Sequence, residues 1–304
     1  MKELEWGWLI ILYLFFGGLS AGALILSGLA TYVGGQERYT RLAKAGAFIA
    51  PFPVLIGTLL LIFDLGRPHC FWKLFVAFEP ESPMWIGTWL LGLFLLVSLP
   101  YFNLFLPEKR RLWKPTNTIF WKSLLAAAGF PLGVCVGIYT GVLLGAVPAR
   151  PFWNTPMVAL LFLFSALSTS TALLFIVMKK FVPGLESKEE RRLLLSADVI
   201  FILLELLIIA PYIIHGKLSP LSARESLALI LGGSYTGLFW IGVILLGLIF
   251  PLVIEVIELA PRRSHHKKFR IPGAMETLAC VFVLAGGFLL RFVFVFAGQL
   301  SSFQ

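Results

Sequence analysis

Unbroken runs of apolar side chains recur along this chain at approximately 6–32, 46–63, 85–106, 121–147, 156–178, 196–215, 228–257 and 273–299. Each approaches the roughly 20 residues that an α-helix needs to cross the hydrocarbon core of a bilayer. None shows the short alternation of apolar and polar residues that marks a membrane β-strand. The pattern therefore predicts eight spanning helices, and the fold class is an all-α integral membrane protein. Prolines fall near the start of the second run (Pro51, Pro53) and inside others (Pro131, Pro211, Pro251). An interior proline frees backbone groups that neighbouring helices must satisfy, so kinks buried in a bundle are expected there.

Charge sorts between the runs. Of the 25 lysines and arginines, most lie in four alternate connections. The first holds Arg38, Arg41 and Lys44; the second holds Lys109, Arg110, Arg111, Lys114 and Lys122. The third holds Lys179, Lys180, Lys188, Arg191 and Arg192; the fourth holds Arg262, Arg263, Lys267, Lys268 and Arg270. Basic loops remain in the cytoplasm, which places both termini on the outer side of the cytoplasmic membrane. The alternation supports the count of eight independently of hydropathy. Lys2, Glu3 and Glu5 do not make a basic leader, so the first run is expected to persist as a span.

Composition removes several chemistries. Charged residues are 13% of the chain and hydrophobic ones 59%, against roughly 25% charged in soluble domains; a water-facing surface could not be covered. The net charge of +9 belongs to the loops and is not a nucleic-acid footprint. Cys70, Cys135 and Cys280 form no C-x-x-C pair, so neither an iron–sulfur cluster nor a disulfide framework is encoded. The four histidines, His69, His215, His265 and His266, do not fall mid-span, where a haem would need them. Redox chemistry would use a diffusible cofactor or a partner's metal centres, and no metal site is expected in this chain.

An internal echo links Phe16-Gly17-Gly18-Leu19-Ser20 in the first run with Phe164-Ser165-Ala166-Leu167-Ser168 in the fifth. Both runs cross in the same direction, which suits two parallel four-helix bundles, 1–150 and 151–304. The small residues in Gly17 to Gly22 allow close helix contact.

The stretch after the second run is the most informative: Asp64-Leu65-Gly66-Arg67-Pro68-His69-Cys70-Phe71-Trp72. Asp64 and Arg67 stand three residues apart at a helix end and can pair, and Pro68 stops the helix. Phe71, Trp72, Leu74, Phe75 and Phe78 then make an aromatic, amphipathic segment suited to the headgroup level. One reading is an interfacial anchor with a local ion pair. The other is a polar pocket beside an aromatic entrance, fit for an amphiphilic ligand with a lipid tail. Tyr139, in Tyr139-Thr140-Gly141, carries a hydroxyl that needs a partner within the bundle.

These motifs, with Ser82-Pro83-Met84 and Pro151-Phe152-Trp153-Asn154-Thr155-Pro156, carry a resemblance. The chain resembles the NrfD-like membrane subunits, the group that includes the polysulfide reductase membrane anchor, over nearly its whole length. The resemblance implies an eight-helix subunit without its own haem or iron–sulfur cluster. It would bind a quinone, menaquinone or ubiquinone, near the outer face of the first bundle. An iron–sulfur electron-transfer subunit and a catalytic molybdopterin-type subunit would sit on that side. Asp64 and Arg67 match the family's acidic–basic pair, and Tyr139 matches its fourth-span tyrosine. Some relatives place a polar or histidine side chain in the first span; here Ser20 stands there, with His69 as a substitute. Asp64, His69 and Tyr139 are thus the candidate proton-exchanging and donor groups; Ser20, Arg67, Trp72 and Tyr139 are the candidate quinone-binding ones.

Ionisable residues also occur in the sixth to eighth runs: Asp198, Glu205, Glu255, Glu258, Glu276 and Arg291. Asp198, Glu255, Glu258 and Glu276 fall near cytoplasmic ends, where hydrated anchoring is the expectation. Glu205, one heptad from Asp198, shares its helix face. A proton route through Asp198, Glu205, Glu255, Glu276 and Arg291 is the competing reading. The leading function is quinol oxidation coupled to reduction of a sulfur compound or another terminal acceptor. Alternatives are a quinone-reducing dehydrogenase subunit, another quinol-oxidising complex, a proton or solute transporter, and a passive anchor.

Overall fold

The computed structural model describes residues 6–33, 39–147, 149–181, 188–219, 221–260 and 272–300. Lys2, Glu3, Glu5, Arg38, Arg262, Arg263, His265, His266, Lys267, Lys268 and Arg270 lie outside the described residues. The chain runs through α1 (Trp8–Val33), α2 (Thr40–Ile49), α3 (Pro51–Asp64), a short α4 (Lys73–Val76), α5 (Pro83–Phe105) and α6 (Thr118–Gly145). It continues through α7 (Pro156–Phe181), α8 (Lys188–Leu218), α9 (Leu221–Leu231), α10 (Phe250–Leu259) and α11 (Gly273–Leu300). A π-helical stretch, Leu238–Ile249, leads directly into α10. Among the described residues there is no strand, and eight helical segments are long and apolar enough to cross a membrane. The chain is a multi-pass membrane protein.

Hydrogen bonds fix which helix ends share a face. At one end, the backbone N–H of Trp6 donates to Gln299 Oε1 at 2.8 Å, and Gln299 returns a bond from Nε2 to Trp6 O at 2.9 Å. Arg150 donates to Gln299 O, and Trp153 Nε1 donates to Phe294 O at 2.7 Å. At the opposite end, Ser27 donates to Ala43 O at 2.5 Å, and Lys179 donates to Gly273 O at 2.5 Å. The first end, which carries the 64–72 stretch, is called the rim below; the other carries the basic connections.

Helices α1 and α7 are the most enclosed of the spans. Their small residues let the backbones meet. A Cβ on Gly22 would collide with Ser170 and stand 2.5 Å from Ala166 O. Ser170 Oγ in turn reaches Leu19 O at 2.9 Å. Without a hydrophobic driving force between helices in lipid, such close contact and interhelical hydrogen bonding hold spans together.

Two expected spans differ in detail. The second is α2 and α3 joined through Ala50, which keeps helical angles. Pro51 and Pro53 carry no N–H there, and the N–H of Val54 turns to Ser20 Oγ at 2.7 Å. The seventh run, expected over 228–257, is two elements. Gly232 and Gly233 end α9, both folding back to Ala228 O, and the span itself runs Leu238–Leu259. Two adjacent glycines lack the side chains that favour continued helix, so the break falls there. Pro131 and Pro211 lie inside continuous helices, whereas Pro251 marks the change from π to α winding.

Candidate functional site

The rim half of α1, α3, α5 and α6 builds the site around two tyrosines. Tyr139, on α6, donates its hydroxyl to Pro83 O, the first residue of α5, at 3.0 Å. Its ring lies where only a glycine fits: a Cβ on Gly87 of α5 would collide with the Tyr139 hydroxyl. Tyr13, on α1, is fully enclosed, and its hydroxyl has no hydrogen-bond partner. Its ring packs over Gly57 of α3, 3.4 Å from where a Cβ would stand, and a Cβ on Gly17 would meet both that ring, at 4.0 Å, and Thr140, the neighbour of Tyr139, at 3.6 Å. At 1.5 Å per residue, Tyr13 lies about 8 Å below the start of α1 and Tyr139 about 9 Å below the end of α6. The two hydroxyl-bearing side chains therefore lie at similar depth.

Two further polar atoms near this level are buried without a partner: Thr58 Oγ1, beside Gly57 on α3, and Trp85 Nε1, two residues before Gly87 on α5. Trp85 belongs to an aromatic cluster with Phe78 and Trp89, and Phe75 packs on Trp89 at 5.6 Å. The amphipathic segment after α3 thus leans its rings on the rim end of α5.

The residues expected from the sequence are divided by this geometry. Asp64 ends α3 at the rim, about 10 Å along the helix from Gly57. Asp64, Arg67 and His69 are exposed, and the expected Asp64–Arg67 ion pair is not formed. The chain leaves helical angles at Leu65, which turns Arg67 away from a helical i, i+3 position. His69 sits in the 3₁₀ turn Pro68–Cys70, and Trp72 is half exposed with Lys73 Nζ 6.0 Å from its ring. Ser20 is fully buried, and its oxygen accepts the Val54 N–H at the α2–α3 junction. The sequence pattern does not single out Tyr13, Thr58 or Trp85. The one signal it offers for Tyr13 is a hydroxyl at the depth of Tyr139 within the otherwise apolar stretch Trp8 to Leu19.

A carbonyl-bearing ring needs hydrogen-bond donors in a dry seam, and buried donors left unpaired are costly. The unpartnered Tyr13 hydroxyl and Trp85 N–H are donors of that kind, and they suit a quinone headgroup.

A second polar group occupies α7, α8, α10 and α11. The expected hydrated anchoring of Asp198, Glu255 and Glu276 fails, because all three are buried. Ser168 donates to Asp198 Oδ1 at 2.6 Å, and the Asp198 and Glu255 carboxyls are hydrogen-bonded to each other. Glu258 and Glu276 both accept from Arg191 Nη2, at 2.9 and 2.5 Å. Glu205 and Arg291 are buried nearer the middle. No group of His, Cys, Asp and Glu among the described residues could hold a metal ion.

Comparison with known proteins places these features in a lineage. The family model described as polysulphide reductase, NrfD, matches residues 1–302. The C chain of polysulfide reductase from Wolinella succinogenes is 33% identical, over 97% of the present sequence and 94% of the relative. Protein NrfD of Escherichia coli is 30% identical, over 99% of the present sequence and 96% of the relative. The C subunit of selenate reductase from Mesobacillus selenatarsenatis is 28% identical, over 85% of the present sequence and 68% of the relative.

Proposed function

Because the chain belongs to the NrfD polysulphide reductase family, we propose that it is the quinol-oxidising membrane subunit of a respiratory oxidoreductase complex. The rim would face outward from the cytoplasmic membrane, as the basic connections suggest. An iron–sulfur partner and a molybdopterin-type catalytic subunit would dock on that side. The names of the relatives point to polysulfide or an oxyanion such as selenate as the class of terminal acceptor. A bound quinol supplies two electrons and two protons.

The observation that carries this reading is the Tyr13 hydroxyl, enclosed and unpartnered at the depth of Tyr139. Tyr13 and Tyr139 would orient the two-oxygen headgroup, with the Tyr139 hydroxyl moving from Pro83 O to the ligand. Asp64, at the water boundary, would pass released protons to solvent. The rings of Phe75, Phe78, Trp85 and Trp89 would line the approach of the isoprenoid tail.

The test is purification of the intact complex, followed by quinone extraction and quinol-driven turnover. Near-stoichiometric bound quinone is expected. Tyr13→Phe and Tyr139→Phe should each cut turnover at least tenfold in assembled complex. Absence of bound quinone, or full turnover in both variants, would overturn the reading.

A further inference from the structure

The end that bears the basic connections gathers cations from three segments of the chain. Lys44 lies on α2, Arg111 in the connection after α5, and Lys122 on α6. Lys44 and Lys122 each stand four residues into their helix, about 6 Å along it. Lys122 is half-buried, with Nζ 4.3 Å from the centre of the Phe105 ring at the end of α5. Phe105 stacks on Tyr101 at 5.2 Å, and the Tyr101 hydroxyl stands 3.1 Å from Ser27 Oγ, which donates to the carbonyl beside Lys44. Arg111 Nε donates to Leu106 O, next to Phe105, at 2.8 Å. The ends of α2, α5 and α6 are thus joined, with a cation from each side of the junction. The Lys122 ammonium is repelled by both Arg111 and Lys44. Among the described residues, none of the three cations forms an ion pair, and neither does Glu108, the one acid in the connection 106–117.

The connection itself is built rather than slack. Asn103, buried on the last turn of α5, fixes it with both halves of its amide. Oδ1 accepts from the Leu112 N–H and Nδ2 donates to Trp113 O, each at 2.8 Å. The chain therefore folds back on the end of α5 and carries Arg111 with it. Leu112 is 98% exposed, and Trp113 stacks on Trp121 of α6 at 4.9 Å. Indoles at the ends of spans belong to the headgroup layer of a membrane. From Lys44, whose Nζ is 5.9 Å from the Phe48 ring, a ladder of rings continues through Phe102 to Phe52, at 4.8 and 5.4 Å. Phe52 is half exposed, so an apolar face leads from the cations toward the middle of the membrane.

Like charges gathered at a half-buried point repel, and an anion placed among them removes that cost. A phospholipid suits the whole arrangement, with its phosphate at the cations and its acyl chains along the phenylalanines. Basic pockets between spanning helices hold anionic headgroups in this way. We infer that Lys44, Arg111 and Lys122 form a binding site for the phosphate of an anionic phospholipid, with Phe48, Phe102 and Phe52 beneath its chains. The terminal nitrogens of Arg111 have no partner among the described residues, and their fork matches two phosphate oxygens. The two lysines add charge from α2 and α6. A lipid held there ties α2 to α5 and α6 and offsets the repulsion between their cations. The site lies at the opposite end of the molecule from the tyrosines and stands independently of the quinone reading.

The test takes the full chain, with the subunits that accompany it, delipidated in detergent. Dioleoylphosphatidylglycerol or dioleoylphosphatidylcholine is titrated in, and bound lipid is counted by native mass spectrometry. The anionic lipid should add as a discrete adduct well before the zwitterionic one. Each lost cation should weaken that adduct about fivefold, so Lys44→Gln, at an exposed position, reads one such step and Lys122→Gln with Arg111→Gln reads two. Lys122→Arg should keep the preference, and so should Lys217→Gln, which removes an exposed charge at the rim. Excess inorganic phosphate should leave the adduct in place. Equal binding of the two lipids would overturn the site, as would unchanged affinity in Lys44→Gln and the double variant. An equal loss in Lys217→Gln would also overturn it, because net charge alone would then explain the preference. Displacement by inorganic phosphate would overturn the lipid as the occupant.

Discussion

Tyr139 and Pro83 are joined across the α5–α6 seam by a 3.0 Å hydrogen bond from the tyrosine hydroxyl to the proline carbonyl. Gly87, one turn further along α5, leaves the space in which that hydroxyl sits. The bond closes the rim end of α5 against α6, and it must open if the hydroxyl is to serve a ligand.

Gly87→Ala tests that arrangement. Its methyl group occupies the hydroxyl position, so the ring must swing away from Pro83. The lost hydrogen bond contributes about 1 kcal/mol net and displacing the ring costs roughly 1–3 kcal/mol more, so thermal stability in detergent should fall. Quinol turnover should fall as far as in Tyr139→Phe. Adding Gly87→Ala to Tyr139→Phe should cost little further turnover, because both changes remove the same donor. A second, independent loss in the double variant would show that Gly87 acts elsewhere.

Ser20 makes the opposite prediction. Its oxygen accepts the Val54 N–H in a fully buried seam. Ser20→Ala leaves that N–H without a partner, at a cost of roughly 1–3 kcal/mol. The melting temperature of the complex should drop while the KM for quinol stays within twofold of wild type. A selective rise in KM with unchanged melting would restore Ser20 to the binding site.

The eight spans and the rim motifs were legible because apolar length and loop charge are local properties of a sequence. The break at Gly232–Gly233 was written in the chain as well, but a continuous apolar run on both sides masked it. What could not be read were relationships across helices. Nothing near Ser20 announces the proline junction of α2 and α3 that uses its oxygen. Asp198 and Glu255, 57 positions apart, look like separate interfacial anchors until the fold sets one against the other. Tyr13 carries no motif at all, and its meaning comes only from the enclosure of its hydroxyl.

Gly247 and Gly286 face each other where the π-helical stretch crosses α11. A Cβ on Gly286 would stand 2.5 Å from Gly247 Cα, and one on Gly247 would stand 2.7 Å from Gly286 Cα. Both obstacles are backbone, which cannot rotate aside. Overpacking of this kind costs roughly 1–3 kcal/mol. Gly247→Ala and Gly286→Ala should each lower the melting temperature. The double variant should cost less than the sum, because once the helices have separated the second methyl meets open space. Melting curves of the four proteins give the coupling directly.

Arg191 holds Glu258 at 2.9 Å and Glu276 at 2.5 Å through the same nitrogen, tying α8 to both α10 and α11. The Arg191 side chain is 20% exposed and those of the two acids are 8% and 9% exposed, so the cluster is largely shielded. Arg191→Gln would remove the charge that both carboxylates share and leave Lys179, 3.6 Å from Glu276, beside that acid. Breaking a buried pair costs roughly 3–5 kcal/mol, and the partial exposure of Arg191 puts the expected loss at the low end. Arg191→Lys should recover only part of it, since the lysine side chain is one bond shorter and its ammonium falls short of the Nη2 position that holds both acids. The triple variant Arg191→Gln, Glu258→Gln, Glu276→Gln should melt closer to wild type than Arg191→Gln alone, because the buried negative charges have gone with their partner. If the triple variant melts lower still, the cluster stabilises the fold through more than the pairing of its charges.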